Sequence, residues 1–373
     1  MKRAGTAVIT AAAAITLALP SAATAATAAT STGWTAPTCN RVVGDGAVTF
    51  TTDGGASLAG TTGTLKPVSY THGLVALGAA DTLLATRNSE LQRSTDAGCS
   101  WNHVATLGAD TTKLTAGSGS RAFVWEPNGG YLARVDGATV TPLTAPVAAV
   151  MGLGTDPADP NHVRLAGADG RLYDSRNAGA TWTVTGTPAF PEGTGVYSVS
   201  FDPADPDHAV AGAMVRGGAV TTDGGATWTA STGLTSGTNA NLFSTAFSPA
   251  DPSVVHGVGV DLAEAVPGSG NEGRHLYRST DGGRTFVKIV DDTAEHKLTN
   301  STLLAPSPTD PNVLHFEYGT YFMGYGTDLF RYDAATGAVT KTHNAFDGVS
   351  AIAFNPVRPS VMYLGVEEVG TPS

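Results

Sequence analysis

The chain has 373 residues, of which only 14% are charged, and its formal net charge is −11. An acidic protein of this kind repels nucleic acid and anionic membrane surfaces, so neither is expected as a partner.

The N-terminus reads as a targeting segment. Lys2 and Arg3 form a basic start, residues 4–19 are an apolar Ala-rich run, and Ala23-Thr24-Ala25 is an A-x-A cleavage site. Residues 1–25 are therefore expected to be a secretory signal peptide, and 26–32 a disordered Ala/Thr segment. The apolar run is too short for a membrane span, and no other stretch approaches one. Residues 33–373 remain as one exported, extracellular domain. The two cysteines, Cys39 and Cys99, favour a disulfide in that compartment. The nine histidines are scattered without ligand spacing, so no metal is expected.

From residue 51 onward one pattern returns. Residues 94–101 read STDAGCSW, 175–182 SRNAGATW, 221–228 TTDGGATW and 279–286 STDGGRTF. Residues 51–58, TTDGGASL, keep the acid and the glycine but end in Leu. In this S/T-x-D-x-G-x-x-W/F form, the acid should cap a turn by accepting backbone N–H groups one to three residues ahead. The glycine supplies a positive φ, and the terminal aromatic is an apolar peg between sheets. Asp53, Asp96, Asn177, Asp223 and Asp281 are thus assigned to structure. Between copies lie short strands; 196–230 divides into four, at 196–201, 209–214, 219–222 and 227–230. A second turn, DPADP at 156–160 and 202–206 with variants at 248–252, 307–311 and 355–359, joins the first two strands of each unit.

Four antiparallel strands per repeat is the unit of a β-propeller. Adding weaker turns at Asp136 and Asp333 gives seven, at 53, 96, 136, 177, 223, 281 and 333, spaced by blade-sized intervals. The expected fold is all-β, a seven-bladed β-propeller of four-stranded antiparallel blades. The last blade would take its first strands from 349–354 and 361–366 and its last from 48–52 and 56–59. That pairing closes the ring and covers its open edges.

The repeated pattern resembles the Asp-box, or BNR repeat, of sialidases, sortilin-type receptors and related β-propellers. The resemblance implies ligand sites on the face opposite the boxes, around the central channel. On that face fall the loops 87–89, 125–130, 216–218, 261–274 and 317–326. Candidate binding residues there are Trp125, Arg216, Arg274, Tyr318, Tyr321, Phe322 and Tyr325. The aromatic stretch 317–326, EYGTYFMGYG, either recognises a partner or packs over the channel.

Two functions stand. The first is a monomeric, non-enzymatic module that binds an extracellular protein or glycan and uses no cofactor. In architecture and length the chain is similar to the secreted bacterial dispase autolysis-inducing family. That similarity implies action with a metalloprotease and cross-linking at glutamine by transglutaminase. The only glutamine here, Gln92, falls in a predicted third strand. The second is an exo-acting, sialidase-like glycoside hydrolase. The family's arginine triad has candidates in Arg87, Arg216 and Arg274, but its early R-I-P motif is absent. Glu126, Asp261, Glu264, Glu272, Glu317, Glu367 and Glu368 are acids outside the turns, and no spacing singles out a pair.

Overall fold

A computed structural model describes residues 33–66, 69–266, 272–320, 326–344 and 348–367. The expected targeting segment and 26–32 lie outside them, as do Tyr321, Phe322, Tyr325 and Glu368.

The described chain is all-β and forms seven blades in a ring. Six are four-stranded antiparallel meanders, beginning with Thr71–Ala76, Lys113–Ala116, Val150–Thr155, Val196–Phe201, Ala240–Phe247 and Leu304–Pro306. These are blades 1 to 6 in chain order. Blade 7 unites the termini: Gly348–Phe354 pairs with Met362–Glu367, which pairs antiparallel with Val48–Thr51. The expected fourth strand at 56–59 is reduced to one backbone bond, Ala59 N to Phe50 O at 2.9 Å, and one from Thr49 Oγ1 to Ala59 O at 2.6 Å. The chain turns away there, because Gly60–Thr61 pairs in parallel with Arg41–Val42.

The first strands pack against one another around the ring and form its inner wall. Apolar residues alternate out of each sheet into seven clusters, one at each blade–blade interface. The aromatic ending each repeated turn enters the cluster shared with the preceding blade. Phe286 of blade 5, for example, lies with Val210 and Val220 of blade 4. Cys39 and Cys99 form a disulfide with Cα atoms 5.7 Å apart, tying the N-terminal segment to the blade 1 turn.

The repeated turns differ from expectation in one respect. Asp96 Oδ1 accepts from Ser100 N, four residues ahead, at 2.8 Å. The same reach recurs at Asp53, Asn177, Asp223 and Asp281. The nearer donors go mainly to the hydroxyl two residues earlier, although Asp281 Oδ1 also accepts from Arg284 N, three residues ahead, at 3.1 Å. Ser94 Oγ donates to Asp96 Oδ1 at 2.8 Å and accepts from Gly98 N at 3.0 Å. Gly98 has φ of +89°, where a side chain would be strained and would meet Tyr363. Asn177 substitutes fully, since its carbonyl takes the backbone bond and its amide donates to Thr181 Oγ1 at 2.8 Å.

Candidate functional site at the channel mouth

The face opposite the repeated turns is built by the starts of the first strands and by the loops between second and third strands. Five of the seven inner strands share an irregularity there. The register slips by one between Thr71 and Gly73, Val150 and Gly152, Val196 and Ser198, Leu242 and Ser244, and Val349 and Ala351. Each slip is a β-bulge whose extra residue is His72, Met151, Tyr197, Phe243 or Ser350. A bulge frees its residue from the ladder and re-aims its side chain. Lys113 and Leu303, on the unbulged first-strand sides of blades 2 and 6, line the same cavity as Met151, Tyr197 and Phe243.

Met151, Tyr197, Phe243 and Leu303 line one arc of a cavity of about 590 Å³, with Trp125 beside them. The Tyr197 and Phe243 ring centroids are 4.8 Å apart. Trp125 turns its Nε1 to Thr115 Oγ1 at 3.0 Å, so its ring is held in place. The hydroxyl oxygens of Ser198 and Ser244 are buried in the wall of this cavity without a hydrogen-bond partner among the described residues.

Charged groups are also present at and next to this cavity. Lys113 lines the cavity from blade 2. Glu317 of blade 6 accepts from Leu303 N at 3.3 Å. Glu367 ends the second strand of blade 7 and is buried. Burial pushes the Glu317 carboxyl up to about 7, against the bonds from Leu303 and Gly319 that favour its charge. Burial, then the like charge of Glu317, pushes Glu367 up to about 7 against the pull of Lys113. Burial lowers Lys113, opposed by Glu367. His72 is lowered by burial and by Lys113.

The sequence candidates fare differently. Trp125 is at the mouth. Arg216 is exposed in the hairpin turn of blade 4, bridged to Ala240. Arg274 is committed to structure: it binds Asp292 Oδ2 and Asn300 Oδ1, both at 3.0 Å, as well as Leu298 O and Glu272. Tyr318 packs beside the cluster between blades 5 and 6. The described residues of the stretch expected as an aromatic loop are strand, since Glu317–Thr320 continues to pair with Gly326–Leu329. Asp261 is a buried strut, held at about 2 by bonds from Thr235, Ser236 and Ala263 that outweigh burial. Gln92 is buried in its strand and donates to Asp45 Oδ2 at 2.6 Å.

Lys113, Met151, Tyr197 and Phe243 were not singled out by the sequence. The signal for Met151, Tyr197 and Phe243 is a large residue followed by a small one near the start of the first strand, as in Met151-Gly152, Tyr197-Ser198 and Phe243-Ser244. The small residue is required by packing: a Cβ on Gly152 would fall 1.9 Å from Val199 O of the next blade.

Beside the mouth lies a run of exposed apolar residues. Met214, Val215, Leu262 and Val266 are all more than one third exposed. Val215 has φ of +64°, which is costly for a β-branched residue. Its N–H donates to Asn241 Oδ1 at 2.8 Å, which fixes it there. Among the described residues, no group of three or more His, Cys, Asp or Glu side chains is placed to hold a metal ion.

No family model matches the chain. It is 69% identical over 371 residues to the dispase autolysis-inducing protein of Streptomyces mobaraensis, covering 99% of each. Among solved structures, YCF48 from Cyanidioschyzon merolae aligns with a TM-score of 0.56 at 13% identity, covering 81% of this chain and 96% of that one. The GH74 xyloglucanase from Xanthomonas campestris aligns at 0.54 and 16% identity, covering 76% of this chain and 48% of that one. The GH74 enzyme of Niastella koreensis aligns at 0.52 and 17% identity, covering 69% and 37%. This chain therefore spans less than half the length of either GH74 enzyme. At such identities the likeness is one of fold.

Proposed function

The chain belongs to the family of the dispase autolysis-inducing protein, and from that premise we propose that it is an exported, non-enzymatic interaction module. Its partner is an extracellular protease, engaged through the face opposite the repeated turns. The observation that carries this reading is 69% identity along the full length of a relative named for inducing dispase autolysis. The Cys39–Cys99 disulfide fits an extracellular protein. The exposed Met214, Val215, Leu262 and Val266 beside an aromatic-lined mouth fit a protein-docking face.

The test is to incubate the purified protein with dispase and follow intact protease on a gel. Faster loss of intact protease than with heat-denatured protein supports the reading. Unchanged protease, together with no complex on size exclusion, contradicts it.

One observation favours the glycoside hydrolase alternative. Glu317 and Glu367 are carboxyls raised to about 7 at the channel mouth, and a general acid needs a proton held near neutrality. A fluorogenic glycoside panel separates the two readings. Turnover that is lost in Glu317→Gln would make the chain an enzyme.

A further inference from the structure

The cavity at the channel mouth joins one cation to an apolar corner. Lys113 is its one charged lining residue. Among the described residues, the Lys113 ammonium makes no hydrogen bond and no ion pair. Glu367 acts on it by charge, but Glu367 does not line the cavity. The corner is made by Tyr197 and Phe243, whose rings are tilted by 56° with centroids 4.8 Å apart, and Met151 lines the same space. Ser198 and Ser244 follow the two rings in sequence, and their hydroxyl oxygens lie in the cavity wall without partners among the described residues.

We propose that this cavity takes the free C-terminal end of a peptide chain whose last residue is apolar. The terminal carboxylate pairs with the Lys113 ammonium. The apolar side chain packs into the corner of Met151, Tyr197 and Phe243. This inference rests on the mouth face being the recognition face, but not on the partner being a protease.

Three features favour that ligand. The first is charge. An ammonium withdrawn from water without a partner is costly, and a carboxylate removes that cost. One ammonium matches one carboxylate. A phosphate group carries up to two charges and is ordinarily gripped by guanidinium forks or the amides of a helix N-terminus. No arginine lines this cavity. The second is spacing. In a terminal residue the carboxylate and the side chain leave the same Cα, so the charge and the apolar surface arrive together. An internal Asp or Glu brings the charge but leaves the rings uncovered. The third is shape. A sugar stacks on a flat ring face, whereas two tilted rings make a recess. An acidic sugar would also turn hydroxyls toward Phe243 and Leu303, which carry no hydrogen-bonding side-chain atoms. A branched or aromatic side chain fills the recess without that cost. The Ser198 and Ser244 hydroxyls are donors on hand for the second carboxylate oxygen.

The experiment uses the whole exported chain at pH 6. There a peptide carboxylate, with an ordinary value of about 3.5, is ionised. Glu317 and Glu367, raised to about 7, still hold their protons and do not compete for Lys113. Four probes are titrated by calorimetry or NMR: acetyl-Gly-Gly-Phe as the free acid, the same peptide as its C-terminal amide, acetyl-Gly-Gly-Gly as the free acid, and glucuronic acid. The Phe acid should bind at least tenfold more tightly than its amide, the Gly acid or glucuronic acid. Lys113→Met should abolish the preference for acid over amide, and Lys113→Arg should keep it. Phe243→Ala should weaken the Phe acid about tenfold while acid is still preferred to amide. A purely structural role for Lys113 would not change that preference. Thermal melts verify that each variant is folded, and the acid–amide comparison on the unaltered chain needs no variant at all. Equal binding of acid and amide, glucuronic acid binding as tightly as the Phe acid, no binding of any probe, or an unchanged acid preference in Lys113→Met would overturn the proposal. None of these outcomes depends on dispase, so the protease reading stands or falls separately.

Discussion

Carboxyl groups on the two faces of the ring meet opposite fates. On the turn face, burial raises Asp96, Asp136, Asp156 and Asp281, yet each ends below its ordinary value. Donors decide the outcome: Asp281 takes bonds from Ser279 Oγ and from the N–H groups of Arg284 and Thr285. At the channel mouth, burial wins, and Glu317 and Glu367 rise to about 7. Glu317 has two backbone donors to set against it, and Glu367 has only the charge of Lys113. The difference is one of donor supply. A turn built to satisfy its acid is scaffold, whereas a buried acid short of donors is poised for a ligand.

The comparison can be broken first at the level both faces share. Removing residues 362–373 takes away the strand between Gly348–Phe354 and Val48–Thr51. The ring then opens at two edges, and we expect aggregated product on expression. A soluble truncation with an unchanged melting temperature would show that closure lies elsewhere. Replacing Cys39 and Cys99 by Ser should cost about 2–4 kcal/mol in chemical denaturation, because the bond closes a 60-residue separation.

The next test sharpens the role of donors. Asp281→Ala leaves the N–H groups of Arg284 and Thr285 without their acceptor, at a cost of about 1–3 kcal/mol. Asp281→Asn should cost less, since Asn177 already does this work in blade 3. Equal losses for the two would mean that charge, not the acceptor, holds the turn.

Stability against pH should then separate the faces by sign. The lowered turn acids contribute stability that is present above their unfolded value near 3.8 and lost as pH falls through their folded values. The raised mouth acids act the other way. Folded protein holds more protons than unfolded protein between their ordinary value of 4.5 and about 7, so stability declines as pH rises across that window. Glu317→Gln with Glu367→Gln should flatten that decline and leave the acid limb unchanged. Urea melts from pH 3 to pH 8 would measure both limbs, and an unaltered decline would remove the mouth acids from the account.

Much of the scaffold was legible because turns state their chemistry locally. Asp or Asn with Gly at fixed spacing marked five turns, weaker turns at Asp136 and Asp333 brought them to seven, and the split of strands between 48–52 and 349–366 indicated ring closure. The Cys39–Cys99 bond followed from count and compartment. The mouth was less legible, because its residues are brought together by backbone irregularity. Strict alternation reads Val196–Phe201 without the slip at Tyr197, and so misplaces which side chain faces the channel. Glu317 appeared to sit in a loop because Tyr318, Gly319 and the glycines that follow resemble one, although strand pairing runs on to Thr320. Glu367, on which the charges of Glu317 and Lys113 both act, lies on another blade from either, and no spacing in the sequence relates the three.

The central claim is that the turns hold the ring and the opposite face recognises. Its most direct test measures the loss of intact dispase and the melting temperature for two variants side by side. The account predicts that Asp281→Ala melts earlier but acts on dispase at the original rate below its melt. It predicts that Glu317→Gln with Glu367→Gln melts no earlier at pH 7 yet loses most of that action. The reverse pattern, action lost with the turn and kept without the glutamates, would contradict it.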